Sequence, residues 1–235
     1  MKLLAIETAT EACSAALLMD GETRLRYEIR PRGHSELILR MMDDLLNEAG
    51  LKIRDLDAMA FGRGPGSFTG VRIATGVAQG AAFAAELPVV PVSTLAALAQ
   101  RAYREKGERN LLPAYDARMG ELYWAGYRIG EKELVTPAIP EQVASAGEVE
   151  LPPEGKWYGA GSGWGRCGER LGERLGNALL GYIPQMFCSA REVVQLAAAD
   201  YEAGLAVAPE RALPVYLRNR VARKMNTPAE AGRRK

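Results

Sequence analysis

The stretch Phe61-Gly-Arg-Gly-Pro-Gly-Ser-Phe-Thr-Gly-Val-Arg72 follows an apolar run of strand length at residues 56–61 and leads into a helical run at residues 69–86. How those pieces connect decides the fold. Residues 62–66 form a glycine loop, residues 88–92 read as a second buried strand, and Ser93 caps a helix through Tyr103. Strand, helix, strand, helix implies a parallel crossover, because parallel neighbours need a long connection over one face of their sheet.

Toward the N-terminus, Leu3-Leu-Ala-Ile-Glu7-Thr-Ala-Thr10, Cys13-Ser-Ala-Ala-Leu-Leu-Met19 and the alternating Thr23-Arg-Leu-Arg-Tyr-Glu-Ile29 give three short strands, with Asp20-Gly21 as a hairpin signal. From His34, the apolar residues Leu37, Ile38, Met41, Met42, Leu45, Leu46 and Ala49 recur at three and four, so the segment is an amphipathic helix closed by Gly50. Toward the C-terminus the chain turns polar at residues 106–110, which sets a domain boundary there. A second strand pair follows at residues 111–116 and 121–128, separated by Ala117-Arg-Met-Gly120. Residues 131–155, with Pro137, Pro140, Pro152 and Pro153, read as surface connections around a short helix. Residues 156–161 read as a strand entering a Gly161-Ser-Gly-Trp-Gly165 loop. Helices are expected at residues 166–175 and 189–203, and Pro214-Val-Tyr-Leu-Arg218 is the last apolar segment. A meander followed by crossover helices thus occurs twice by element order. The expectation is an α/β protein of two similar domains, 1–105 and 106–235, each a mixed sheet flanked by helices, with the tail free to return to the first.

Composition narrows the function classes. At 235 residues, 48% apolar and 25% charged, the chain has the balance of an ordinary globular protein. Thirty Lys and Arg against 29 Asp and Glu give no global field for nucleic acid or acidic lipid. Residues 211–235 hold eight basic side chains and one acidic, Arg218, Arg220, Arg223, Lys224, Arg233, Arg234 and Lys235 among them. This tail reads as a solvated terminus or as a contact for phosphate or an acidic partner. Cys13, Cys167 and Cys188 form no C-x-x-C pair, so reduced thiols, a cytoplasmic setting and no membrane segment are expected.

The glycine loop leads into a helix whose free amides and positive dipole end favour an anion, and Glu7, Thr8, Gly64 and Gly66 are the candidate cofactor-binding residues. The loop is neither a Walker loop, since no lysine occurs between Lys52 and Lys106, nor a dinucleotide fingerprint. A structural turn and an anion site both stand on this reading. The helix after it is built of Gly70, Ala74, Gly76, Ala78, Gly80, Ala81, Ala82, Ala84 and Ala85, small side chains that permit close approach by a neighbour. His34 is the lone histidine, so a histidine metal cluster is excluded and any triad would have to use it.

Leu4-Ala-Ile-Glu-Thr-Ala-Thr10, the glycine loop to Arg72, Pro91-Val-Ser-Thr-Leu-Ala-Ala-Leu98, Asp116-Ala-Arg-Met-Gly-Glu-Leu-Tyr-Trp124 and Pro214-Val-Tyr-Leu-Arg-Asn219 together closely resemble the bacterial TsaB, or YeaZ, family of tRNA threonylcarbamoyladenosine biosynthesis. The resemblance implies the actin-like, sugar-kinase, Hsp70-type fold. It also implies a non-catalytic accessory subunit that pairs with the catalytic paralogue TsaD and works with the ATPase TsaE in threonylcarbamoyl transfer to the tRNA adenosine next to the anticodon. The paralogue carries a His-x-x-x-His metal motif on its first helix, whereas here His34 is followed four residues later by Ile38. No catalytic residue, metal or intrinsic cofactor is therefore expected, with ATP or ADP entering only at the level of the complex and tRNA only through it. The implied pairing surface is the first two helices, with Leu37, Ile38, Met41 and Leu45 on one and Val71, Thr75, Gln79 and Phe83 on the other. The same surface would form a homodimer in isolation. Two readings compete: a sugar-kinase-class phosphotransferase using residues 7–10 with the loops at 62–66 and 161–165, and a peptidase. The first lacks an Asp-x-Gly-Thr arrangement, and the second lacks an assembled triad or metal pattern.

Overall fold

The computed structural model describes residues 1–218, and the tail cations Arg220, Arg223, Lys224, Arg233, Arg234 and Lys235 lie outside the described residues. Strands β1 (Lys2–Glu7), β2 (Ala12–Met19) and β3 (Glu22–Ile29) form the antiparallel meander. Asp20 and Gly21 take the two successive left-handed conformations of a tight hairpin turn. Helix α1 (His34–Ala49) ends on left-handed Gly50 and leads to β4 (Ala58–Gly62). The glycine loop, α2 (Phe68–Ala85) and β5 (Val89–Val92) complete the crossover, so the first sheet runs β3-β2-β1-β4-β5 with β1, β4 and β5 parallel. Ser67 and Ser93 cap α2 and α3 (Thr94–Lys106) by accepting the amides of Gly70 and Ala96.

The second half repeats this plan. Strands β6 (Asn110–Arg118), β7 (Glu121–Ile129) and β8 (Val135–Ser145) make an antiparallel meander. Strand β9 (Trp157–Ala160), helix α4 (Ser162–Leu175) and strand β10 (Leu179–Ile183) make the parallel crossover, giving the order β10-β9-β6-β7-β8. Helix α5 (Ala190–Glu202) follows, as α3 follows the first sheet. The two trailing helices are exchanged: α3 packs on β6 of the second sheet and α5 on β1, β2 and β4 of the first. A shared core of Val92, Leu95, Leu98, Leu111, Val193 and Val194 therefore lies between the sheets. The outer face of the first sheet is covered by α1 and α2, and that of the second by α4.

Two expectations need correction, and one strand is added to them. Residues 135–145 of the region read as surface connections are β8, an edge strand of 11 residues. Its Pro137 and Pro140 are tolerated because an edge strand has one side without a ladder to break. The Gly161–Gly165 run is not a loop: α4 begins at Ser162, and its glycine content reflects contact, since a Cβ on Gly163 would lie 2.9 Å from that of Ala114. Strand β10, with two exposed positions and a glycine, has no periodic signal and was not anticipated.

Candidate functional site

Two features of the first half carry the functional argument. One is the junction of the glycine loop with the turn that ends β1. Ser67 N donates to the Ala9 carbonyl at 2.7 Å, and the Thr8 hydroxyl donates to the Gly70 carbonyl at 2.7 Å. A Cβ on Gly66 would stand 2.6 Å from the Ala9 carbonyl oxygen. One on Gly70 would collide with the Thr8 carbonyl, and one on Gly62 with the Glu7 carboxylate. Gly64 is left-handed and sits under the Val215 carbonyl. The glycine spacing is thus accounted for by chain meeting chain.

Glu7 is completely buried there. One carboxylate oxygen accepts the Ala9 amide, and the other has no hydrogen-bond partner among the described residues. Burial raises its pKa from 4.5 to about 7, against the amide hydrogen bonds that favour the anion. Cys188 and Tyr115 are buried beside it, with titration pushed up by the same desolvation, and the Cys188 amide donates to the Tyr115 hydroxyl at 3.1 Å. This polar seam joins the end of β1 to the segment before α5. Among the described residues no group of three or more His, Cys, Asp or Glu is placed to hold a metal ion.

The second feature is the outer surface of α1 and α2. Ile38, Met41 and Leu45 point inward, into the core with Leu4, Ile6 and Met59, and Leu37 is half-buried at its edge. Val71 and Thr75 are also buried, the Thr75 hydroxyl donating to the Val71 carbonyl. Of the eight residues expected to meet a partner, Gln79 is half-buried and donates to the Ala212 carbonyl at 3.2 Å, and Phe83 alone is fully outward, at 74% exposure. The outward side of α1 is Glu36, Arg40, Asp43, Asp44 and Glu48, with Leu39 as its one large apolar residue.

The outward side of α2 is different. Gly76 and Gly80 lie mid-helix on it with no atom within 4 Å of where a Cβ would be. Phe68 stands at one end of this strip, under the Arg72 guanidinium at 3.9 Å, and Phe83 near the other. Gly76, Gln79, Gly80 and Phe83 line a shallow groove closed on one side by Pro209 and Glu210. Sequence reading groups Gly76 and Gly80 with the buried alanines of α2, and only the structure separates glycines that touch the chain from these two that touch nothing.

The C-terminal segment binds both halves. Val215 N donates to the Arg63 carbonyl, Tyr216 accepts from Arg72, and Arg218 donates to the Ala117 carbonyl while pairing with Glu121 on the β6–β7 hairpin. Within that hairpin Asp116 accepts the Arg118 amide and faces Arg166 at 3.6 Å. Among the described residues no helix is long and apolar enough to cross a membrane.

Comparison with known proteins gives a consistent result. The family profile described as TsaD, tRNA N6-adenosine threonylcarbamoyltransferase, matches residues 28–160. The chain is 44% identical over 232 residues to the tRNA threonylcarbamoyladenosine biosynthesis protein TsaB of Escherichia coli K12, covering 95% of this chain and 97% of that protein. It is 38% identical over 229 residues to the Haemophilus influenzae protein of the same description, covering 94% and 95%. The solved structure described as YeaZ from Pseudomonas aeruginosa superposes with a TM-score of 0.86 at 46% identity, over 92% of this chain and 99% of that one.

Proposed function

The chain belongs to the TsaB family of tRNA threonylcarbamoyladenosine biosynthesis proteins, with that family's actin-like fold, and on that premise we propose that it is a non-catalytic accessory subunit that docks a TsaD-type paralogue through α2. The observation that carries this reading is the pair Gly76 and Gly80. Glycine in an exposed helix interior costs about 1 kcal/mol relative to alanine, and within this chain nothing is gained by it, since a Cβ at either position meets open space. A helix from another subunit, approaching closely over Gly76 and Gly80 beside Phe83, would supply the compensation. The buried Ile38, Met41, Leu45, Val71 and Thr75 then hold the surface in shape, while Leu37 and Gln79 border it. The match of a TsaD-family profile to this chain supports a partner of like architecture, for which pairing of similar helical faces is a natural geometry. The division into halves at about residue 106, a TsaE-type ATPase as a further component, self-association in isolation and tRNA contact through the assembly belong to the same proposal.

The test is in-vitro threonylcarbamoylation of tRNA with TsaD, TsaE and the enzyme that forms threonylcarbamoyl-adenylate, run with and without this chain. Product only in its presence, with no ATP hydrolysis or tRNA modification by the chain alone, is the expected result. Equal product without it overturns the accessory reading.

A further inference from the structure

A cavity of about 490 Å³ opens between the two sheets beside β5 and β8, on the opposite side of the first sheet from α1 and α2. That size falls within the ~300–1,000 Å³ of small-molecule sites. Its walls are largely apolar, with Pro91, Leu134, Ile139 and Leu196 among them, and three charged side chains face into it: Arg63 just after β4, Glu141 from β8 and Asp200 from α5.

The hydrogen bonding of these three is incomplete in a specific way. The Tyr127 hydroxyl donates to Glu141 Oε1 at 3.0 Å and fixes that carboxylate. Arg63 Nη2 lies 3.7 Å from Glu141 Oε2, too far for a hydrogen bond, and the guanidinium makes none among the described residues. The Asp200 carboxylate, half-buried, accepts none either, and burial raises its pKa although the Arg63 charge pulls the other way. Partly desolvated ionic groups ordinarily have their donors and acceptors matched. Here Arg63 is ion-paired with Glu141 but keeps its hydrogen-bond donors, and Asp200 keeps its acceptors, both toward the same cavity.

A simple anion entering it would meet Glu141 and Asp200, and a simple cation would meet Arg63. The chemistry that satisfies both ends is a molecule carrying an ammonium and a carboxylate on a short apolar body. We propose that this cavity binds an aliphatic α-amino acid, its carboxylate on the Arg63 guanidinium, its ammonium on Asp200 and its side chain against Leu134, Ile139 and Leu196. The inference rests on the cavity and is independent of the partner reading.

The test is titration of the full chain, by calorimetry and by NMR of backbone amides, with L-valine, with isobutylamine and with isovalerate. The last two keep the body of valine and one charge each. Valine is expected to bind at least roughly tenfold more tightly than either, and Asp200→Asn and Arg63→Gln each to weaken it by roughly tenfold or more, the loss typical of one charge-assisted contact. Arg63→Gln leaves the backbone bonds of residue 63 to Val92 and Val215 in place. Ala199→Phe, on the cavity wall of α5, narrows the space without altering charge and is expected to abolish binding. Each variant's melting temperature verifies folding. No saturable valine binding at tens of millimolar, equal binding of isobutylamine, or unchanged affinity in folded Asp200→Asn overturns the proposal.

Discussion

Replacing Gly76 and Gly80 together by alanine is expected to raise the stability of the chain and lower its affinity for its partner. The first magnitude follows from the helix. Both residues are interior to the 18-residue α2 and a Cβ at either meets nothing within 4 Å, so no steric charge offsets the gain in propensity. Alanine for glycine is worth about 1 kcal/mol at each site, partly through a more restricted unfolded chain. Together this is about 2 kcal/mol, or roughly 4–8 °C in Tm at this chain length. The second magnitude follows from packing. If a partner helix lies over this strip, two added methyls overpack a formed interface by about 1–3 kcal/mol, a loss of roughly fivefold to a hundredfold in affinity. Differential scanning calorimetry gives the first and calorimetric titration with the TsaD-type partner the second, with sedimentation velocity following self-association. A higher Tm with unaltered partner affinity would refute the docking of α2, and a lower Tm would refute the claim that these glycines are free within the chain.

Glu7 provides a pH prediction. Its native pKa of about 7 lies above the unfolded 4.5, so between these values the native state holds the extra proton and stability falls as pH rises through the window. At about 1.4 kcal/mol for each pH unit the effect is roughly 3 kcal/mol. Glu7→Gln is expected to flatten the Tm profile between pH 4.5 and 7 and to exceed wild type at pH 8, and superimposable profiles would dispose of the assignment. Gly70→Ala drives a Cβ into the Thr8 carbonyl and should cost about 3 kcal/mol or more by urea unfolding; a loss below about 1 kcal/mol would mean that the turn is not held as described. Arg104→Met removes the Nε that donates to fully buried Glu192 at 2.7 Å. A loss of about 1–3 kcal/mol is expected, and none at all would show Glu192 to be satisfied without it.

What sequence reading could and could not deliver follows from which signals are local. The Asp20-Gly21 turn, the Gly50 stop and the Ser67 and Ser93 caps are properties of a few adjacent residues, and the elements around them were legible. Strand β8 was not, because prolines argue against a strand unless it is known to lie at an edge, and edge position is a fact about the whole sheet. The contact residues on α1 illustrate a subtler limit. Apolar periodicity marks the stripe a helix buries, and Ile38, Met41 and Leu45 are buried in the chain's own core. A face that meets a second protein part of the time must remain soluble alone. On the docking proposed above, such a face would show as charge on α1 and as missing side chains on α2, neither of which a hydrophobic pattern detects.

The duplicated plan also explains why α2 should be the surface left shallow. The outer face of the second sheet is closed by one helix, α4, and by three large side chains, Trp124, Trp157 and Trp164, all buried, with the Trp164 indole donating to the Leu112 carbonyl. Its counterpart on the first sheet has no tryptophan. That face is filled instead by a second helix, α1, placed between β3 and β4, where the second half has only the connection from β8 to β9. With α1 supplying the volume that aromatic rings supply elsewhere, α2 carries alanine toward the sheet at Ala74, Ala78 and Ala82 and sits close upon it. A helix so placed can keep small residues outward as well, because its stability comes from the sheet beneath it and from its Ser67 cap and not from its own propensity. The asymmetry between the halves is therefore what makes a closely approachable helix available on the first, and the Gly76–Gly80 strip lies on that helix.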